Sequence, residues 1–348
     1  MTTNVRPTLL VGSVNLDDAQ SVFLMAGEVL GGSLRSMPDG ETGKRINWYM
    51  WQEDVMGRAP FLAKTGLSKG KDHGGVDHLG MPRFGVTGDL SGARFDDLGY
   101  ADAAVASYKV FTRLRDQKKI PQGIRFQVSL PTPLAPLIVM IEPDDFLRVE
   151  RLYEEAMHRE IDKICKAIPA PDLAFQWDVA AEVGVLEGLT MLDGRMIFAD
   201  PMRDVLARLL RIATWVPNGV ALGFHLCYGD YQHKHWKEPK DTGLLVELAN
   251  SMLAGVTRPI DWIHLPVPRD RDDDAYFAPL ETLKLPSHTQ LYLGLVHYTD
   301  GVTGGKRRIE TAKRHVAAFG IATECGLGRR PPETMLPVMK LMATLAAS

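Results

Sequence analysis

The chain has 348 residues, 45% hydrophobic and 24% charged, which is the balance of a globular protein that buries a large core. Its 40 basic and 43 acidic residues leave a formal net charge of -3 without a sustained basic stripe, which argues against a nucleic-acid partner. Three cysteines do not describe a disulfide framework and suit a reducing compartment.

The start MTTNVRPTLLVGS lacks the basic segment and apolar run of a secretory signal, and no apolar stretch approaches the roughly 20 residues that span a bilayer. A cytoplasmic protein with no membrane partner is expected.

Strand-like runs alternate with helical patterns along the chain. The first run, 8–13 (TLLVGS), precedes a helix over 17–30. The second, 32–37 (GSLRSM), leads into PDGETGKR and then a glycine-rich excursion over 44–97, too long for an ordinary connection and read as a lid or active-site wall. A helix over 101–117 precedes the third run, 124–130 (IRFQVSL). The clearest helix covers 144–168, where Phe146, Val149, Tyr153, Met157, Ile161, Ile164 and Ile168 recur at three- and four-residue steps behind Asp144 and Asp145. Cys165 falls on that apolar face and reads as core. The remaining runs are 173–178 (LAFQWD), 220–227 (VALGFHLC), 260–265 (IDWIHL), 290–297 (QLYLGLVH) and 320–324 (GIATE). Further helices are expected over 201–214, 242–254, 305–319 and 333–346. Eight strands separated by helices predict an α/β fold, a single (β/α)8 TIM barrel over 1–348 with 44–97 inserted after the second strand.

Active sites of such barrels lie at the C-terminal ends of the strands. Asp39 and Glu41 follow the second run, Asp178 ends the fourth, and His225 and Cys227 end the fifth. His264 lies on the sixth, His297 and Asp300 follow the seventh, and Glu324 and Cys325 end the eighth. His225 and Cys227 are two apart, so both side chains leave one face of an extended chain. Imidazole and thiolate together suit zinc, and Cys325 would supply a third ligand if the first and eighth strands pair. A His-x-Cys pair alone is more often inert packing. His264 could ligate the metal from deeper in the barrel or be a satisfied core histidine. His233 and His235, like His73 and His78 in the excursion, read as loop residues. Trp48, Trp51, Trp177 and Trp262 could wall a pocket or fill the core.

Six elements occur in order over most of the chain: VGS at 11–13, DGETGKR at 39–45, LPTPL at 130–134, FQWD at 175–178, FHLCYGD at 224–230 and ECGLGRR at 324–330. Together they resemble the strand-end elements of the cobalamin-independent methionine synthase catalytic domain, within the methionine synthase and uroporphyrinogen decarboxylase superfamily. The resemblance implies Zn2+ held by His225, Cys227 and Cys325, with Glu41 and Asp178 where relatives contact the amino group of a thiol amino acid. Asp39 and Trp177 are counted beside them as substrate-binding candidates. The implied activity is zinc-dependent methyl or alkyl transfer, in which a small thiol activated as thiolate attacks a methyl donor.

The departures from the family pattern bear on activity. Pro266 stands where relatives carry a glutamate ligand, which leaves His264 as the candidate fourth ligand. Thr299 stands where relatives place an acid histidine, which leaves His297 as the candidate proton donor, with Asp178 and Asp300 as further catalytic candidates. Val179 replaces the glutamate that follows Asp178 in relatives. Two other readings stay open: a zinc-dependent hydrolase or lyase at the same mouth, and a non-catalytic barrel that binds a small ligand. The sequence does not indicate the oligomeric state.

Overall fold

The structure, a computed structural model, describes residues 5–67, 80–191, 193–229 and 235–348. Among the described residues ten strands form: β1 Thr8–Leu9, β2 Ser36–Pro38, β3 Leu62–Leu67, β4 Pro82–Val86, β5 Arg125–Pro131, β6 Leu173–Val179, β7 Ala221–Leu226, β8 Trp262–Pro266, β9 Gln290–Val296 and β10 Gly320–Thr323. Eight of them form one parallel sheet in the order β1-β10-β9-β8-β7-β6-β5-β2. A parallel bridge between Thr8 and Leu34, with the Thr8 amide donating to the Ser33 carbonyl at 3.0 Å, joins the two ends of the sheet. The sheet thus closes into the expected TIM barrel, with helices between the strands.

Strand alternation divides the core into two layers. On β6, Gln176 and Asp178 face the barrel interior, whereas Phe175 and Trp177 are fully buried in the layer beneath the helices. The barrel floor is filled by Leu9, Ala174, Ala221, Trp262, Tyr292 and Ala322. The ring of Trp262 lies against Gly223, where an added Cβ would come within 1.9 Å of it. Trp262 is therefore a floor residue and not part of a pocket wall at the mouth. Its Nε1 donates to Gln176 Oε1 at 3.2 Å, and Gln176 Nε2 donates to Asp178 Oδ1 at 2.9 Å. A polar chain thus runs up the interior and fixes Asp178.

The long helix Phe146–Ala167 buries the apolar stripe read from sequence. Its buried Glu160 accepts from the amides of Leu98 and Ala101, tying the end of the excursion to the barrel. A helix over Leu134–Met140 was not expected. All but one of its residues are buried, so the segment carries no amphipathic period. Within 44–97, β3 and β4 form an antiparallel hairpin docked through Val86 N to Asp145 Oδ2 at 2.7 Å. His73 and His78 lie outside the described residues. Among the described residues no helix is long and apolar enough to cross a membrane.

Candidate metal centre

Register in the parallel sheet sets the centre. Asp178 of β6 pairs with His225 of β7, and His225 pairs with His264 of β8, so three polar side chains stand in one row facing inward. Cys227 follows β7 by one residue. Cys325 follows β10 by two, in a turn closed by Thr323 Oγ1 donating to the Cys325 carbonyl at 2.8 Å. Across the mouth, Cys227 Sγ lies 3.8 Å from Cys325 Sγ, and Cys325 Sγ lies 3.8 Å from His225 Nε2. The ligating atoms of His225, Cys227 and Cys325 all lie within 4.8 Å of one another, close enough to hold one metal ion.

His264 is not a member of this group. Its Nδ1 lies 2.6 Å from His225 Nδ1, and its Nε2 donates to the Thr323 carbonyl at 3.1 Å, so both ring nitrogens are engaged beside the centre. Burial holds His264 down to about 3 and, together with the neighbouring His264, holds His225 well below the usual imidazole range. Both rings are therefore neutral at physiological pH.

Two cavities meet at this wall, and Cys227, Gly229, Cys325, Gly326 and Arg329 line both. The first, about 350 Å³, is bounded by Glu41, Asp178, Trp48, Tyr49 and Trp236. Burial, followed by the charge of Asp178, raises Glu41 well above the usual carboxyl range, and burial likewise raises Asp178. Glu41 and Trp48 both hold left-handed backbone, φ 49° and 57°, at roughly 1–3 kcal/mol each. That strain aims them into the cavity. Gly12 makes room for the Glu41 carboxylate, since a Cβ there would lie 2.4 Å from Oε1. Residues 46–50 and Met81 of the excursion form part of the wall.

The second cavity, about 450 Å³, contains His297, Glu324 and His235, with Arg269, Arg271 and Arg330 around it. His297 Nε2 donates to the Val267 carbonyl at 2.8 Å, leaving Nδ1 3.7 Å from Glu324 Oε2. Burial lowers His297, outweighing the nearby Glu324 charge. His235 contacts Glu324 at 3.0 Å and Glu238 at 3.1 Å. Burial opposes its charge, but these two carboxylates outweigh that and raise it to about 9.

Three expected site residues stand elsewhere. Trp177 faces the helix layer, its ring edge-on to Trp215, because alternation turns it away from the mouth that Asp178 faces. Asp300 accepts from both terminal nitrogens of the fully buried Arg308, at 2.7 and 2.9 Å, and is a structural partner of that guanidinium. Asp39 lies behind Glu41: it accepts from the Glu41 amide, Ser107 and Arg45 and lines neither cavity. Trp51 packs edge-on to Tyr100 and is also outside both cavities. Tyr49, Trp236 and Arg329 line the mouth without having been singled out from sequence. For Trp236 a signal existed in Gly184 and Gly229, which leave space for its ring. His233 lies outside the described residues.

No known family profile and no curated protein matches the chain. Solved structures do. A B12-independent methionine synthase from Shewanella sp. W3-18-1, in complex with selenomethionine, superposes with a TM-score of 0.61 at 16% identity, covering 99% of this chain and 97% of that one. The fold is shared with B12-independent methionine synthases. A methyltransferase from Methanosarcina mazei superposes with a TM-score of 0.57 at 12% identity, covering 99% and 94% of the two chains.

Proposed function

We propose that this barrel is a zinc-dependent methyl or alkyl transferase that uses a small thiol, with a thiol amino acid as the class that best fits the first cavity. The observation that carries the reading is the convergence of two sulfurs, on the wall shared by two cavities, with one imidazole nitrogen that lines the first. Tetrahedral zinc with zinc–sulfur bonds of about 2.3 Å sets its sulfurs roughly 3.8 Å apart. The Cys227 to Cys325 separation of 3.8 Å has that span.

Zinc supplies Lewis acidity that makes a thiol a thiolate at neutral pH. The chain's own groups do the rest. Glu41 and Asp178, two acids whose proton affinity burial raises, that of Glu41 further through the charge of Asp178, take the ammonium of the substrate and ionise as it binds. Trp48, Tyr49 and Trp236 exclude water from the first cavity. In the second cavity His297 Nδ1 is the nitrogen open to exchange a proton with Glu324 or a reactant. The superposed methionine synthase and methyltransferase support methyl transfer as the reaction class.

Pro266 in place of an acidic ligand, with His297 and Glu324 nearby, favours one second reading, a zinc hydrolase or lyase. Incubation with a thiol amino acid and candidate methyl donors, with thioether read by mass spectrometry, separates the two. Thioether formed in proportion to thiol consumed supports transfer; product released at the same rate without thiol refutes it.

A further inference from the structure

The metal group leaves one nearby side chain without a role. His264 sits at the floor of the centre, completely buried, in register beside His225 and inaccessible to substrate. Its two hydrogen bonds are directional. A carbonyl oxygen only accepts, so the 3.1 Å contact with Thr323 O requires the proton on His264 Nε2. In a neutral ring that leaves His264 Nδ1 as an acceptor, and the 2.6 Å contact then requires a proton on His225 Nδ1. His225 Nε2 is left with its lone pair directed toward the sulfur of Cys325, 3.8 Å away.

We infer that His264 is a positioning residue: it locks His225 in the Nδ1–H tautomer and so presents Nε2 as a preformed metal donor. A ligating histidine commonly donates its other N–H to a carboxylate, a carbonyl or water. Here an imidazole relays that bond to the backbone of β10, the strand that leads to Cys325, so the relay ties the orientation of one ligand to the strand carrying another. The effect is thermodynamic. A free imidazole divides between two tautomers and rotates about its side-chain bonds, whereas one held by this relay binds without that reorganisation.

This inference rests on the metal reading of the triad, and two measurements keep their failures apart. The first needs no metal: 15N-detected histidine spectra of the metal-free full-length protein should show His225 protonated at Nδ1 and His264 at Nε2. Protonation of His225 at Nε2 would overturn the relay. The second is zinc affinity by chelator competition. His264→Phe keeps bulk but lacks an acceptor, and should bind zinc about 10–100-fold more weakly. His264→Asn, which retains an acceptor near the Nδ1 position, should stay close to the parent protein. A purely structural role would instead make the two variants lose zinc affinity alike, or not at all, whatever their melting temperatures. A parent protein that binds no zinc would refute the metal reading while the spectra still decide the tautomer.

Discussion

Exchanging Asp300 for asparagine should cost stability and leave the metal centre intact. Arg308 is completely buried, and besides the carbonyls of Leu295 and Arg269 its guanidinium contacts both oxygens of Asp300. Removing one partner of a buried ion pair costs about 3–5 kcal/mol, because the remaining charge stays buried without compensation. The Asp300 side chain is 23% exposed, which places the expectation at the low end, about 3 kcal/mol. With roughly 2.1 cal/mol/K of unfolding entropy per residue, 348 residues give about 0.7 kcal/mol/K, so the melting temperature should fall by about 4 °C. Burial pushes the Asp300 carboxyl up, but the Arg308 hydrogen bonds outweigh it and hold it below its usual value. Its contribution is therefore full above the ordinary carboxylate range and is lost as pH falls through the lower folded value, so the two proteins should converge in acid. Thermal unfolding followed by circular dichroism, with zinc content read in parallel, tests this. An unchanged melting temperature at neutral pH with a loss of turnover would show instead that Asp300 acts in catalysis and does not stabilise Arg308.

Other outcomes follow from the cavities. Because Glu41 and Asp178 are raised by burial and ionise to receive a cation, affinity for an amino-thiol should fall on acidification, and calorimetry in buffers of different ionisation enthalpy should show proton release on binding. Binding without proton release would contradict that role. Glu41→Gln should weaken the same ligand at least about tenfold, the loss expected when one charged hydrogen bond is removed, with zinc content unchanged. Gly184→Ala puts a Cβ 1.9 Å from the Trp236 ring and should weaken amino-thiol binding by displacing that wall; wild-type affinity would show that Trp236 is dispensable there. Cys165, whose thiol burial pushes up to about 11, should be alkylated slowly, and Cys165→Ala should retain full zinc content.

The sequence carries the barrel because closure needs only eight buried runs and the helices between them, and a strand's period places His225 and Cys227 on one face. It carries contacts less well. The ring of Trp177 makes it a candidate pocket wall, yet it stands one step along the strand from Asp178, and that step reverses the face. Asp300 looked catalytic because Arg308 becomes its partner only once the helix Gly301–His315 brings the guanidinium back over it. The segment Leu134–Met140 is apolar throughout, so periodicity could not tell a helix from a strand. For His264 the residue type was visible, but its role depends on which nitrogen faces which partner, and that follows from the pairing of β7 with β8.

Zinc content of the 348-residue chain purified without added metal decides whether His225, Cys227 and Cys325 form a metal centre. About one zinc per chain is expected, lost in Cys227→Ser, Cys325→Ser and His225→Ala and kept in Cys165→Ala. A parent protein with no stoichiometric metal, or a Cys325→Ser protein that keeps it, would contradict the account.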